Sequence, residues 1–187
     1  IMESESYYVP RANMVYLAKL SLSHTAEEAT HVIRHQLTEM HEPVGLVDAF
    51  YARIMEEALA FFASKLINPK RKASHEGRFR QVLRRAKRGE DLSELERQTA
   101  CYVLDHKRFE KGIKVRRLAQ IYESSAELFN AVTHALGYML GDRLYYGVMS
   151  DVLPVEELKE LFQQRFDEEK VAFATYLIFV HRVADVQ

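Results

Sequence analysis

The chain has 187 residues, 48% of them hydrophobic, and a formal net charge of −1. That length and apolar share suit one globular domain with a real core, and they exclude a disordered or fibrous protein. The single cysteine, Cys101, rules out an internal disulfide, reads as a small buried hydrophobe, and accords with a reducing, cytoplasmic setting.

The opening Ile1-Met2-Glu3 lacks the basic, apolar and small-residue progression of a signal peptide. An Ile ahead of the Met is expected of a cloning remnant or of a domain excised from a longer protein. No run of eighteen apolar residues occurs, so a soluble chain with no membrane partner is expected.

Glycine (7) and proline (4) are scarce, and apolar residues recur at helical spacings, which predicts an all-α fold. In chain order, Tyr7 to Pro10 reads as extended. Pro10 then opens a helix from about Arg11 to Leu20, with a strand as the alternative for Met14 to Leu22. Thr25 and Glu28 have the form of a capping box for a helix over about Ala26 to Met40. Leu46 to Ile67 sets Val47, Phe50, Ile54, Ala58 and Phe61 on one face and stops at Asn68-Pro69. A short basic helix follows over about Glu76 to Lys87, and Asp91 with Glu94 caps another from Leu92 to about Phe109. From Ile113 to about Tyr146 apolar residues appear nearly all round, as in a helix buried on several sides. Ser150 or Asp151 caps a last helical region that has Pro154 in its first turn and runs to Val183, with Leu158, Leu161, Phe162, Phe166, Phe173, Leu177 and Val180 facing inward. The expected architecture is a single domain over 1–187, a multi-helical bundle of about six helices around the buried helix at about 113–146.

Three constellations could carry chemistry. Glu123, Glu127, Asn130 and His134 recur at spacings of four, three and four, and the same line continues to Gly137 and Gly141. Such a stripe is either a small-ligand site in a bundle or a seam where another helix packs closely against the two glycines. Glu57 falls in phase with Phe50, Ile54 and Phe61, and is either displaced to the edge of that face or buried with His134 or Asn130 as partner. Glu28, His31 and His35 share one face of the Thr25 helix, and Glu-x-x-His is a unit with which helical bundles hold a divalent metal. A second such unit is absent, and the apolar Ala29, Ile33, Leu37 and Met40 project from the opposite side, so this stripe is expected to face solvent, a groove or a partner.

Charge is segregated along the chain. Ten Lys or Arg lie between Lys65 and Arg88 against one acid, Glu76, which leaves 16 basic and 26 acidic residues elsewhere. The segment could bind a polyanion or an acidic protein, but its one aromatic, Phe79, is in helical phase with Val82, Leu83 and Ala86, as a core residue would be. Internal pairing or simple solvation is expected, and a nucleic-acid partner is disfavoured. Nucleophile-elbow, phosphate-loop, dinucleotide and Cys-x-x-Cys patterns are all missing, so no reaction is named and enzyme status stays open. The leading expectation is a small-ligand or metal-binding helical domain. A protein or nucleic-acid interaction module using segment 65–88, or a structural domain of a larger protein, stands as the alternative, with a protein partner or a second copy as companion.

Overall fold

A computed structural model of the protein describes residues 7–9, 12–17, 21–38, 45–71, 84–85, 87–104 and 115–163. Among these, six helices pack together beside one small hairpin. The expected basic helix over 76–87, apart from the helical residues 84, 85 and 87, and the chain beyond 163 lie outside the described residues.

The N-terminal piece is β rather than helical. Strand β1 (Tyr7–Val9) pairs antiparallel with β2 (Met14–Tyr16), with Tyr7 opposite Tyr16 and Val9 opposite Met14. Five of the six strand residues are aromatic or β-branched, Met14 being the exception, and Asn13 takes the left-handed conformation (φ 47°) that closes the turn. The strand alternative for Met14 is thus the one realised, and the expected helix over 11–20 is not.

Helix α1 (Leu22–Thr38) starts four residues before the expected site, because Ser21 is its cap: the Ser21 hydroxyl accepts from the His24 amide at 3.3 Å. Thr25 lies within the first turns and donates back to the Ser21 carbonyl at 3.0 Å. Helix α2 (Leu46–Ile67) has its expected bounds. Helix α3 (Glu94–Leu104) does open on a capping box, though at Ser93 rather than Asp91: Ser93 Oγ accepts from the Glu96 amide at 3.2 Å and the Glu96 carboxylate accepts from the Ser93 amide at 3.2 Å. Cys101 on this helix is exposed, not buried, since the inward face is formed by Thr99 and Ala100.

The long central helix is broken in two. Helix α4 (Val115–Ser124) ends where Ser125 becomes extended (φ −175°, ψ 148°), and Ser125 Oγ then accepts from the Leu128 amide at 2.9 Å to cap α5 (Ala126–Met149). A serine that can serve the amides of a new first turn competes with continuing the old helix. The break leaves Tyr122 53% exposed, where an unbroken helix was expected to bury it, while Phe129, Val132, Leu136 and Met139 are buried as the periodicity requires. Helix α6 (Val155–Gln163) begins after Pro154 and buries Leu158 and Leu161.

The core is the contact of α2 with α5, and the two helices run parallel: Phe50 meets Phe129, Glu57 meets His134, and Lys65 meets Asp142. Their backbones touch at the glycines. A Cβ on Gly137 would lie 2.3 Å from Glu57 Cβ, and one on Gly141 would lie 2.3 Å from the Ala58 carbonyl oxygen. The glycine spacing therefore marks a helix crossing, as expected. Phe50, Ile54 and Leu59 from α2, Val132, Leu140 and Leu144 from α5, and Ile121 from α4 share one apolar cluster. No helix of the described residues is long and apolar enough to cross a membrane.

Candidate functional site

Helix α1 sits on the central pair with its polar side inward. Ile33 and Leu37 are 49% and 52% exposed, while Glu27, Glu28, Thr30 and Arg34 are buried. This reverses the expectation that the Glu28 and His31 stripe faces outward. The cause lies on α2, whose side toward α1 carries Glu56 and Glu57, both buried rather than displaced to an edge. Two carboxylates removed from water require cations and donors close by: α1 supplies them to Glu56, where an apolar face could not, and Arg53 of α2 and His134 of α5 supply them to Glu57.

Arg34, 1% exposed, donates through Nε to Glu56 at 2.9 Å and through Nη1 to the carbonyls of Leu161 and Phe162 at 2.8 and 3.0 Å, tying α1 to α2 and to the end of α6. His31 Nδ1 lies 3.3 Å from the other oxygen of Glu56. Burial alone would raise the Glu56 pKa, but the His31 hydrogen bond and the Arg34 charge outweigh it and hold the carboxyl below its ordinary range. For His31 burial acts downward, yet Glu56 and Glu57 together carry its pKa above the usual value.

Next to this triad, Glu57 accepts from His134 Nδ1 of α5 at 2.9 Å and pairs with Arg53 at 2.9 Å. Burial opposes ionisation here too, but the His134 hydrogen bond and the Arg53 charge bring Glu57 down to about 2. A third set joins α1 to α5: the Tyr138 hydroxyl donates to Glu27, and Arg71, in the turn after α2, pairs with Glu27 at 2.7 Å. The His134 ring stacks on Tyr138 with centroids 4.2 Å apart. Glu28 differs from its neighbours. Burial first, then the charges of Glu27 and Glu57, raise its pKa, against the pull of His31 and Arg53.

The stripe foreseen on the central helix is only partly assembled. Glu123, Glu127 and Asn130 are exposed, and Glu123 belongs to α4, before the break at Ser125. His134, with its side chain 43% exposed, is the member that meets Glu57. Of the α1 set, Glu28 and His31 turn onto α2, whereas His35 contacts the hairpin, its Nδ1 3.3 Å from the Tyr8 hydroxyl. Among the described residues, no group of three or more His, Cys, Asp or Glu is placed to hold a metal ion. Arg34, Glu56, Glu27, Tyr138 and Arg71 were not singled out by spacing. The available signal was the Glu56-Glu57 pair between the apolar runs Ile54-Met55 and Ala58 to Ala63 of α2.

Within segment 65–88, four of the seven described cations, Lys65, Arg71, Arg85 and Arg88, pair with Asp142, Glu27 and Glu90 of the same chain. Lys65 is in addition buried over the Tyr145 and Tyr146 rings, 5.0 and 4.2 Å from their centroids. Neither a known family nor any curated protein or solved structure matches the chain.

Proposed function

We propose that this chain is a small-ligand-binding helical domain whose site is the polar cluster between α1, α2 and α5, with His134 at its rim. The observation that carries the reading is the Glu57 and His134 pair. A buried, ionised carboxylate fixes one nitrogen of an imidazole whose side chain is 43% exposed, so the ring is oriented by the protein yet reachable from solvent. Glu28 adds to it. A buried carboxyl held toward its neutral form is unfavourable for stability and useful for exchanging a proton or hydrogen bond with a bound molecule. The reading is of a polar organic ligand rather than a metal, since the neighbouring carboxylates are already engaged by Arg34, Arg53 and Arg71. A cytoplasmic setting goes with it, because the exposed thiol of Cys101 would be open to oxidation elsewhere.

The test is a screen of small polar metabolites against isotope-labelled protein, read at the ring resonances of His134. Binding should shift His134 and raise the melting temperature, and His134→Ala should abolish both effects. A ligand that stabilises the protein equally in the His134→Ala variant would refute the assignment of the site.

A further inference from the structure

We propose that Phe61, Tyr138 and Glu27 form a binding site for an organic cation of the guanidinium or ammonium class, occupied in cis by the chain's own Arg71. This names the ligand class and rests on the small-ligand reading above. Phe61 and Tyr138 come from the two central helices and present a two-ring platform, with centroids 4.5 Å apart and planes inclined by 35°. The Arg71 guanidinium carbon lies 5.0 Å from the Phe61 centroid and 5.5 Å from that of Tyr138, within the range of a cation over a π face. Glu27, almost fully buried, closes the site from α1 with its carboxylate 2.7 Å from Arg71 Nη1. Two aromatic faces and one desolvated carboxylate are the parts of a cation cage.

The occupant is not part of the scaffold that builds the cage. Arg71 sits four residues past the end of α2, in a turn held by its amide donating to the Asn68 carbonyl at 2.9 Å. Its fit is imperfect. Nη1 is buried with no aligned hydrogen bond despite its closeness to Glu27, and Nη2 reaches the Tyr138 hydroxyl only at 3.4 Å. Tyr138 keeps its proton and donates it to Glu27, so the carboxylate remains an acceptor for whichever cation is present. A free guanidinium or ammonium compound can orient all its donors at once, while a tethered arginine is limited by its stem. Withdrawal of Arg71 would open the site, and the Tyr138 and His134 stack would transmit the exchange to the rim of the cluster.

The experiment is a titration of methylguanidinium chloride into wild type, Arg71→Ala, Arg71→Gln and the double variant Arg71→Ala with Glu27→Gln. Ring resonances of Tyr138 and His134 and the melting temperature are followed, with urea and sodium chloride as controls. A tethered cation competes at an effective concentration in the millimolar range, so both single variants should bind at least about tenfold tighter than wild type. The double variant should lose that gain, and neither control should reproduce the shifts. Equal response of wild type and the Arg71 variants, or binding indifferent to Glu27, overturns the proposal. The glutamine variant keeps most of the side-chain volume and serves if the alanine variant does not fold. If methylguanidinium fails in all four proteins while another small molecule still shifts His134, the cation site is refuted and the broader reading stands; if nothing shifts His134, the broader reading falls.

Discussion

Gly141→Ala isolates the close backbone approach of α2 and α5. In an exposed helix position the change would stabilise by about 1 kcal/mol, because alanine is the better helix former. At Gly141 the added Cβ would meet the Ala58 carbonyl oxygen at 2.3 Å and Phe61 Cβ at 3.1 Å. The first contact is about 1 Å short of ordinary van der Waals separation, and it is with backbone, so no rotamer change relieves it. Helix α2 must move away from α5 along the seam that holds most of the apolar cluster. Overpacking costs about 1–3 kcal/mol, and a contact this short with backbone falls in the upper part of that range, about 2–3 kcal/mol, so a net loss of about 1–2 kcal/mol remains after the propensity gain. For a chain of this length that corresponds to a fall of roughly 2–8 °C in melting temperature. The assay is urea unfolding with a thermal scan, beside Asn130→Ala, an exposed position on the same helix where only propensity changes. A Gly141→Ala protein as stable as wild type, or more so, would refute the close crossing.

The cluster also sets a pH profile. Glu56 and Glu57 lie below the ordinary carboxylate range when folded, so their contribution is complete above about pH 4.5 and is lost at lower pH, for Glu57 as pH falls toward about 2. His31 is raised when folded, so its contribution is complete below about pH 6.5 and is lost as pH rises past it. Stability measured by urea unfolding should therefore peak between those limits; Glu57→Gln should flatten the acid limb by about 1–3 kcal/mol and His31→Gln the alkaline limb, and unchanged limbs would discount both pairings. Glu28 has the opposite sign to the other two acids, so Glu28→Gln should raise the melting temperature at pH 7 and leave it unaltered near pH 4, and a loss at pH 7 would contradict its assignment. Arg34→Met strands Glu56 and two carbonyls of α6, and should cost about 3–5 kcal/mol, much of it recovered by adding Glu56→Leu; a cost under about 1 kcal/mol would show that the guanidinium is dispensable.

How far the sequence reaches depends on what each pattern encodes. The bounds of α2 and the crossing at Gly137 and Gly141 follow from 3.6-residue periodicity and from the absence of side chains at two turns of one helix, whereas periodicity left Glu57 open between the edge of its face and a buried pairing with His134 or Asn130. Periodicity states which residues share a face and is silent on which face turns inward. On α1 the ordinary rule, apolar side to the core, fails because the surface it meets is not apolar: Glu56 and Glu57 select Arg34 and His31 over Ile33 and Leu37. The break at Ser125 is hidden because the apolar residues on its two sides, Ile121 and Tyr122 before it and Leu128, Phe129 and Val132 after it, stay in one helical phase, although Ser124-Ser125 offered a cap. Strands of three residues, as in the hairpin, are too short for alternation to be read.

The parallel run of α2 beside α5 has a consequence for synthesis. Antiparallel neighbours can close as a local hairpin, but a parallel pair must wait for the whole return path, and here residues 68–125 lie between the two helices. At about 5–20 residues per second, the apolar flank of α2 leaves the ribosome roughly 3–12 s before the first turn of its partner exists. During that interval Phe50, Ile54 and Phe61 lack the α5 side of their packing, and α1, already made, offers them mostly charge. The nascent chain thus passes through a stage with a sticky, half-built centre, the stage at which a holding chaperone would act.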